Sequence, residues 1–345
     1  MVRGLSPANM LASQPRWAAI AVGLCLCLSA NSAWSATPTC EAPPAPVRDL
    51  RTRTPYQDER GSIPDEAAQR ANAATRAPLN SFLQLATEQA DRYVESGAEA
   101  DRLCALSTLT AWASDDALGG RVSSQGEAVR QWAAGTVALV AFKLGAPQRP
   151  LPAQVRQWLL DRARDTQNYM KERIRSLAPY GRSNIYYWSI LTVGSIAIVT
   201  DSRELWTFAN REYLSVLPMI AADGTLTAEL RRGGRASLYH AFAAQPLVAF
   251  AALSKAKGQN LPQAARNELD RLMDLVLATV RTPQLLAKRA GATQTRVGTP
   301  PWLPLYAYVQ SNTVPARAGR DDNVQRLGGS IKALIVEIDR RRRRT

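Results

Sequence analysis

Seven segments of this chain repeat apolar residues at three- and four-residue intervals, and alternating strand-like runs are nearly absent. They cover 86–113, 127–144, 152–177, 184–200, 203–220, 237–256 and 262–280. That period is the signature of helices with a buried face. The breaks between them are short and carry Gly, Pro, Asp or Ser, as in Ala146-Pro147 and Asp223-Gly224. Short connections make consecutive helices antiparallel neighbours. The chain is therefore expected to be all-α, one domain of paired antiparallel helices over 65–330. No strict repeat is visible, which argues against a regular solenoid. A proline-rich stretch over 37–64 reads as an extended arm. The arginine-rich end, 331–345, reads as a solvated basic tail.

Residues 1–36 read as a secretory signal. Arg3 and Arg16 precede an apolar run from Trp17 to about Leu28, and small residues end at Ala36. The run is too short to span a bilayer comfortably. No later segment reads as a membrane helix, so no stable membrane insertion is expected. Removing 1–36 leaves two cysteines, Cys40 and Cys104. An oxidising compartment permits a bridge between them; two free buried thiols are the alternative.

Charge bears on the partner. Lys and Arg number 43 against 29 Asp and Glu, a net +14, of which the signal segment holds two positives. Such an excess points to an acidic partner. An exported protein rarely meets nucleic acid; an acidic polysaccharide or the anionic envelope fits the compartment better. With two cysteines and the single His240, no metal site is expected. No nucleotide-binding glycine loop or nucleophile elbow occurs, so no cofactor is expected. A monomer would be adequate at this size.

Three arginines, Arg231, Arg232 and Arg235, crowd ahead of Tyr239 and His240. Seven residues are close to two helical turns, so on a helix Arg232 and Tyr239 share a face. A guanidinium can hold a carboxylate through two parallel hydrogen bonds. A phenol beside such cations is expected to have a lowered pKa, with Arg232 and Arg235 supplying the field. A solvated basic turn ahead of a core tyrosine would produce the same pattern. Tyr186-Tyr187-Trp188 is the second notable run. Successive helix residues lie about 100° apart, so at least one of these rings is expected at a cleft or surface, where sugars stack; a wide aromatic core layer is the alternative. Trp132, Trp158 and Trp206 are expected in the core.

Several short motifs resemble those of polysaccharide lyase family 5, the alginate lyases. Ser183-Asn184-Ile185-Tyr186-Tyr187-Trp188 resembles the family's asparagine-histidine-x-x-tryptophan motif, and the run Gly224–Tyr239, with Glu229, Arg232, Tyr239 and His240, resembles its second signature. Leu109-Thr110-Ala111-Trp112-Ala113, Trp302-Leu303 and Arg326-Leu327-Gly328-Gly329 follow in the family's order. The resemblance implies an incomplete (α/α)6 toroid of antiparallel helix pairs. It also implies β-elimination on a periplasmic polyuronate such as polymannuronate. By the same resemblance, Asn184 and Arg232 neutralise the substrate carboxylate, and Tyr239 is proton donor and, by one scheme, also base. Tyr187, Trp188, Arg231, Arg235, His240 and Arg60 are the expected substrate contacts, with His240 as readily a buried support. The family histidine falls at Ile185, which can take no proton. A family lysine falls near Pro55, with Arg53 or Arg60 the nearest cations. A substrate-shifted lyase or a non-catalytic binder of acidic exopolysaccharide is the alternative.

Overall fold

The structure, a computed structural model, describes residues 39–178, 180–313 and 322–344; the stretch 1–36, expected to be a secretory signal, lies outside them. Three short 3-10 turns and twelve α-helices occur among the described residues. In chain order they are α1 (Glu66–Ser96), α2 (Glu99–Ser114), α3 (Ser124–Lys143), α4 (Ala153–Ser176), α5 (Asn184–Val199) and α6 (Arg203–Val216). The rest are α7 (Thr227–Leu230), α8 (Ala236–Ala256), α9 (Gln263–Arg281), α10 (Ala287–Ala290), α11 (Leu303–Ser311) and α12 (Ile331–Arg342). Two short antiparallel strands, β1 (Asn323–Val324) and β2 (Gly329–Ser330), precede α12.

Five helices form an inner ring: α1 packs on α3, α3 on α5, α5 on α8, α8 on α12, and α12 returns to α1. Outside them lie α2, α4, α6, α9 and α11, each against an inner neighbour. Burial explains this division. Helix α5 is apolar all round and buried from Asn184 through Val199 except at Ile185, as a helix touched on every side must be. Helix α9 is the opposite case, burying one stripe (Ala265, Leu269, Leu272, Met273, Val276) and exposing the other face.

The structure differs from the sequence expectations at several elements. The segment 86–113 is two helices, broken where Gly97 adopts the left-handed conformation (φ 71°) and closes α1 through Tyr93. The expected basic tail begins instead as core helix: Ile331, Leu334, Ile335 and Ile338 of α12 are fully buried. All three of Tyr186, Tyr187 and Trp188 are buried, because inner helix α5 has neighbours on every side. The stretch Gly233–Ala256 is long and apolar enough to cross a membrane, contrary to expectation, but its most apolar window is 83% buried inside the fold.

The arm is extended and tied down. Leu50 donates to the Arg121 carbonyl, and Cys40 is bridged to Cys104 of α2. Closing a loop of 64 residues restricts the unfolded chain, a gain of about 2–4 kcal/mol in stability. Between Tyr56 and Pro64 the arm folds back on itself. Asp58 organises that loop, accepting from the Ser62 and Ile63 amides and the Ser62 hydroxyl. These bonds hold its carboxyl below the usual range.

Candidate active site

A cleft of about 600 Å³ opens at one end of the inner ring, beneath the loop Tyr56–Pro64. Residues from the first turns of three inner helices line it: Gln125 of α3, Asn184 and Ile185 of α5, Tyr239 of α8. Helix N-termini favour anions through their unpaired amides and aligned dipoles. Four arginines, Arg76, Arg232, Arg235 and Arg326, add positive charge to the walls.

Arg232 and Tyr239 meet, but not through helical spacing. Gly233 has φ 53°, so the chain leaves helical geometry there and α8 begins only at Ala236. The turn folds Arg232 back, with its guanidinium carbon 4.4 Å from the Tyr239 ring centre. Its Nη1 donates to the Arg60 carbonyl at 3.2 Å. Gly61 makes that approach possible: a Cβ there would lie 2.4 Å from Arg232 Nη1. Arg235 lies over the rings of Tyr56 (5.1 Å) and Tyr239 (5.8 Å). The Tyr56 and Tyr239 hydroxyls share a short hydrogen bond.

Expectation and structure differ on the phenol. Arg232 and Arg235 do pull the Tyr239 pKa down, but burial and the bond to Tyr56 push it further up. The net shift is upward, so Tyr239 rests protonated at neutral pH.

Asn184 is 1% exposed and begins α5. Its backbone amide and Nδ2 both donate to the Glu229 carboxylate, at 2.7 and 2.9 Å. Ile185 lies on the cleft wall beside it.

The other expected contacts are not on this wall. Tyr187 and Trp188 lie in the core, the first donating to the Arg182 carbonyl and the second packed against Phe242. Arg231 is exposed and stacks on Tyr180 at 3.8 Å. Arg60 is exposed and contributes its carbonyl, not its charge. His240 is buried, donating to the Ala236 carbonyl and accepting the Leu226 amide. Burial pushes its pKa down to about 4, so it stays neutral.

Sequence reasoning missed Tyr56, Arg76, Gln125, Trp132, Phe242 and Arg326. Trp132, expected in the core, lines the cleft. Arg326 lies over both Trp132 (4.3 Å) and Phe242 (5.2 Å), and burial lowers it to about 10. Its motif was visible, but nothing in the sequence aims it at α3 and α8. Among the described residues no cluster of His, Cys, Asp and Glu could hold a metal.

Comparison with known proteins agrees with this architecture. The alginate lyase family model matches residues 49–286. A polysaccharide lyase of Stenotrophomonas maltophilia is 32% identical over 79% of this chain and 82% of its own. An alginate lyase of Pseudomonas entomophila is 30% identical over 74% of this chain and 71% of its own. In structure, a histidine-to-alanine variant of alginate lyase A1-III complexed with a tetrasaccharide superposes with a TM-score of 0.72. It covers 85% of each chain at 22% identity, which establishes the α/α toroid fold.

Proposed function

The chain belongs to the alginate lyase family, and from that premise we propose that this polysaccharide lyase cleaves a periplasmic, mannuronate-like polyuronate by β-elimination at the Tyr239 cleft. The observation that carries the proposal is the contact of Arg232 with the Tyr239 ring on a wall that also holds Asn184.

The C5 hydrogen of a uronate is weakly acidic because the adjacent carboxylate resists further negative charge. Arg232 and the Asn184 amide donate to that carboxylate and stabilise the enolate formed as C5 loses its proton. The C5–H electron pair then forms the C4–C5 double bond, and the C4–O bond breaks. The departing O4 takes a proton. In a β-D-mannuronate chain the C5 hydrogen and O4 lie on one ring face. One oxygen, that of Tyr239, can therefore serve both steps, and Ile185 is not called on for a proton. Tyr239 and Tyr56 hold two protons between two bonded hydroxyls. Loss of one to solvent leaves a phenolate stabilised by Arg232 and Arg235, whose charges draw the phenol pKa down. The proton taken from C5 is then returned to O4.

Ile185 favours a second reading, a substrate-shifted or non-catalytic binder of acidic exopolysaccharide, because it places an apolar side chain on the cleft wall. One assay separates the two. The purified chain is mixed with polymannuronate, polyguluronate, glucuronan and hyaluronate, and the unsaturated product is followed by ultraviolet absorbance. Product from polymannuronate, with little from polyguluronate, is expected, because the guluronate hydrogen and O4 lie on opposite faces. Product only from a glucuronate polymer selects the shifted lyase. Binding without product from any polymer selects the non-catalytic binder.

A further inference from the structure

We propose that Glu229 is a positioning residue of the elimination, holding Asn184 and Arg232 in the geometry that receives the substrate carboxylate. The inference rests on the lyase reading given above and adds a residue to which that reading gives no role.

Glu229 is fully buried, in the four-residue helix α7, one turn ahead of Arg232. Oε1 accepts the Asn184 backbone amide at 2.7 Å, and Oε2 accepts Asn184 Nδ2 at 2.9 Å. Arg232 Nε lies 3.8 Å from Oε2. One carboxylate thus holds the main chain and side chain of one anion-binding group and lies beneath the other.

Burying an ionised carboxylate costs several kcal/mol unless it is paired and bonded. Here the first amide of α5 needs an acceptor, because Ser183 supplies no cap to its helix. Glu229 satisfies that amide, and the helix dipole favours its charge. Burial drives its pKa up, and Arg232, the two Asn184 donors and Arg173 of α4 offset only part of that rise, so the carboxyl stays above its usual range.

The consequence for chemistry is orientation. An Asn side chain can present either oxygen or nitrogen to a ligand. With Nδ2 bonded to Glu229, the second hydrogen of that nitrogen remains for a cleft ligand. A negative charge behind an anion site weakens anion binding, so the benefit of Glu229 lies in placement rather than in affinity. Turnover and binding should therefore separate when it is changed.

The test is a cycle of wild type, Glu229→Gln, Asn184→Ala and the double variant, assayed on polymannuronate with thermal midpoints recorded. Glu229→Gln keeps the volume but replaces one acceptor oxygen with an NH2 that cannot accept from Asn184. Its kcat should fall about 100-fold, the scale of a misplaced catalytic group, with KM unchanged or lower. If Glu229 acts through Asn184, adding Glu229→Gln to Asn184→Ala should cost less than threefold more, because coupled residues are non-additive. Glu229→Asp, which keeps the charge but falls one methylene short, covers a Gln variant that fails to fold, and should lose kcat similarly. Losses that multiply in the double variant, or full turnover in either Glu229 variant, would overturn the inference while the lyase reading stands. No product from wild type would overturn both.

Discussion

Tyr239→Phe is expected to abolish turnover while leaving polymer binding intact. The substitution removes one oxygen and nothing else. The ring keeps its edge-on contact with Phe242, 6.3 Å between centres, and its place beneath the Arg232 guanidinium. General acid–base groups contribute about 10²–10⁴ in rate. Here a single oxygen takes the C5 proton and returns it to O4, so its loss should reach the upper end, about 10⁴ in kcat. KM should change little, since carboxylate recognition belongs to other side chains. Stability should fall by only about 1 kcal/mol, the worth of the hydrogen bond lost to Tyr56. Progress curves in the ultraviolet, with oligomannuronate binding measured by calorimetry, check both halves. Turnover within tenfold of wild type would remove the hydroxyl from the mechanism.

Arg232→Ala should cost about 10³ in kcat/KM, spread over both constants. Removing one partner from a hydrogen-bonded charge pair costs about 2–5 kcal/mol, and the guanidinium is expected to bind the substrate carboxylate before and during enolate formation. The same change takes a cation from buried Glu229, 3.8 Å away, so the thermal midpoint should also drop. Arg232→Lys separates the two effects. It keeps a positive charge near Glu229 but loses the planar fork that grips a carboxylate. The lysine variant should regain most of the stability and little of the rate. A lysine variant with wild-type kcat/KM would show that charge alone, not the fork, is what the site uses.

The helical ring was legible because its inner and outer helices carry different apolar patterns. Helix α5 is apolar throughout and α9 is striped, and both could be read directly. The C-terminal helix was not, because five consecutive arginines at 340–344 masked the spacing of Ile331, Leu334, Ile335 and Ile338. At the site, Arg232 and Tyr239 do meet, but a glycine turn, not two turns of helix, brings them together. Tyr187 and Trp188 read as substrate contacts in the sequence because successive helix residues lie about 100° apart and cannot share one face. An inner helix has no outer face, so all three rings of that run are buried. Tyr56 reaches Tyr239 across 183 residues of chain, a closure no local pattern encodes. Its bond and the accompanying burial reverse the shift expected for the phenol, because desolvation there outweighs two nearby cations.

The most direct test is a crystal structure of Tyr239→Phe with a mannuronate trisaccharide in the cleft. The expected result has one sugar carboxylate bonded to both Arg232 and Asn184 Nδ2. The C5 hydrogen and O4 of the reacting units then face the vacant hydroxyl position, with C5 about 3–3.5 Å from it. A trisaccharide whose carboxylates all lie against Arg235 or Arg326, with C5 turned away from residue 239, would contradict the account.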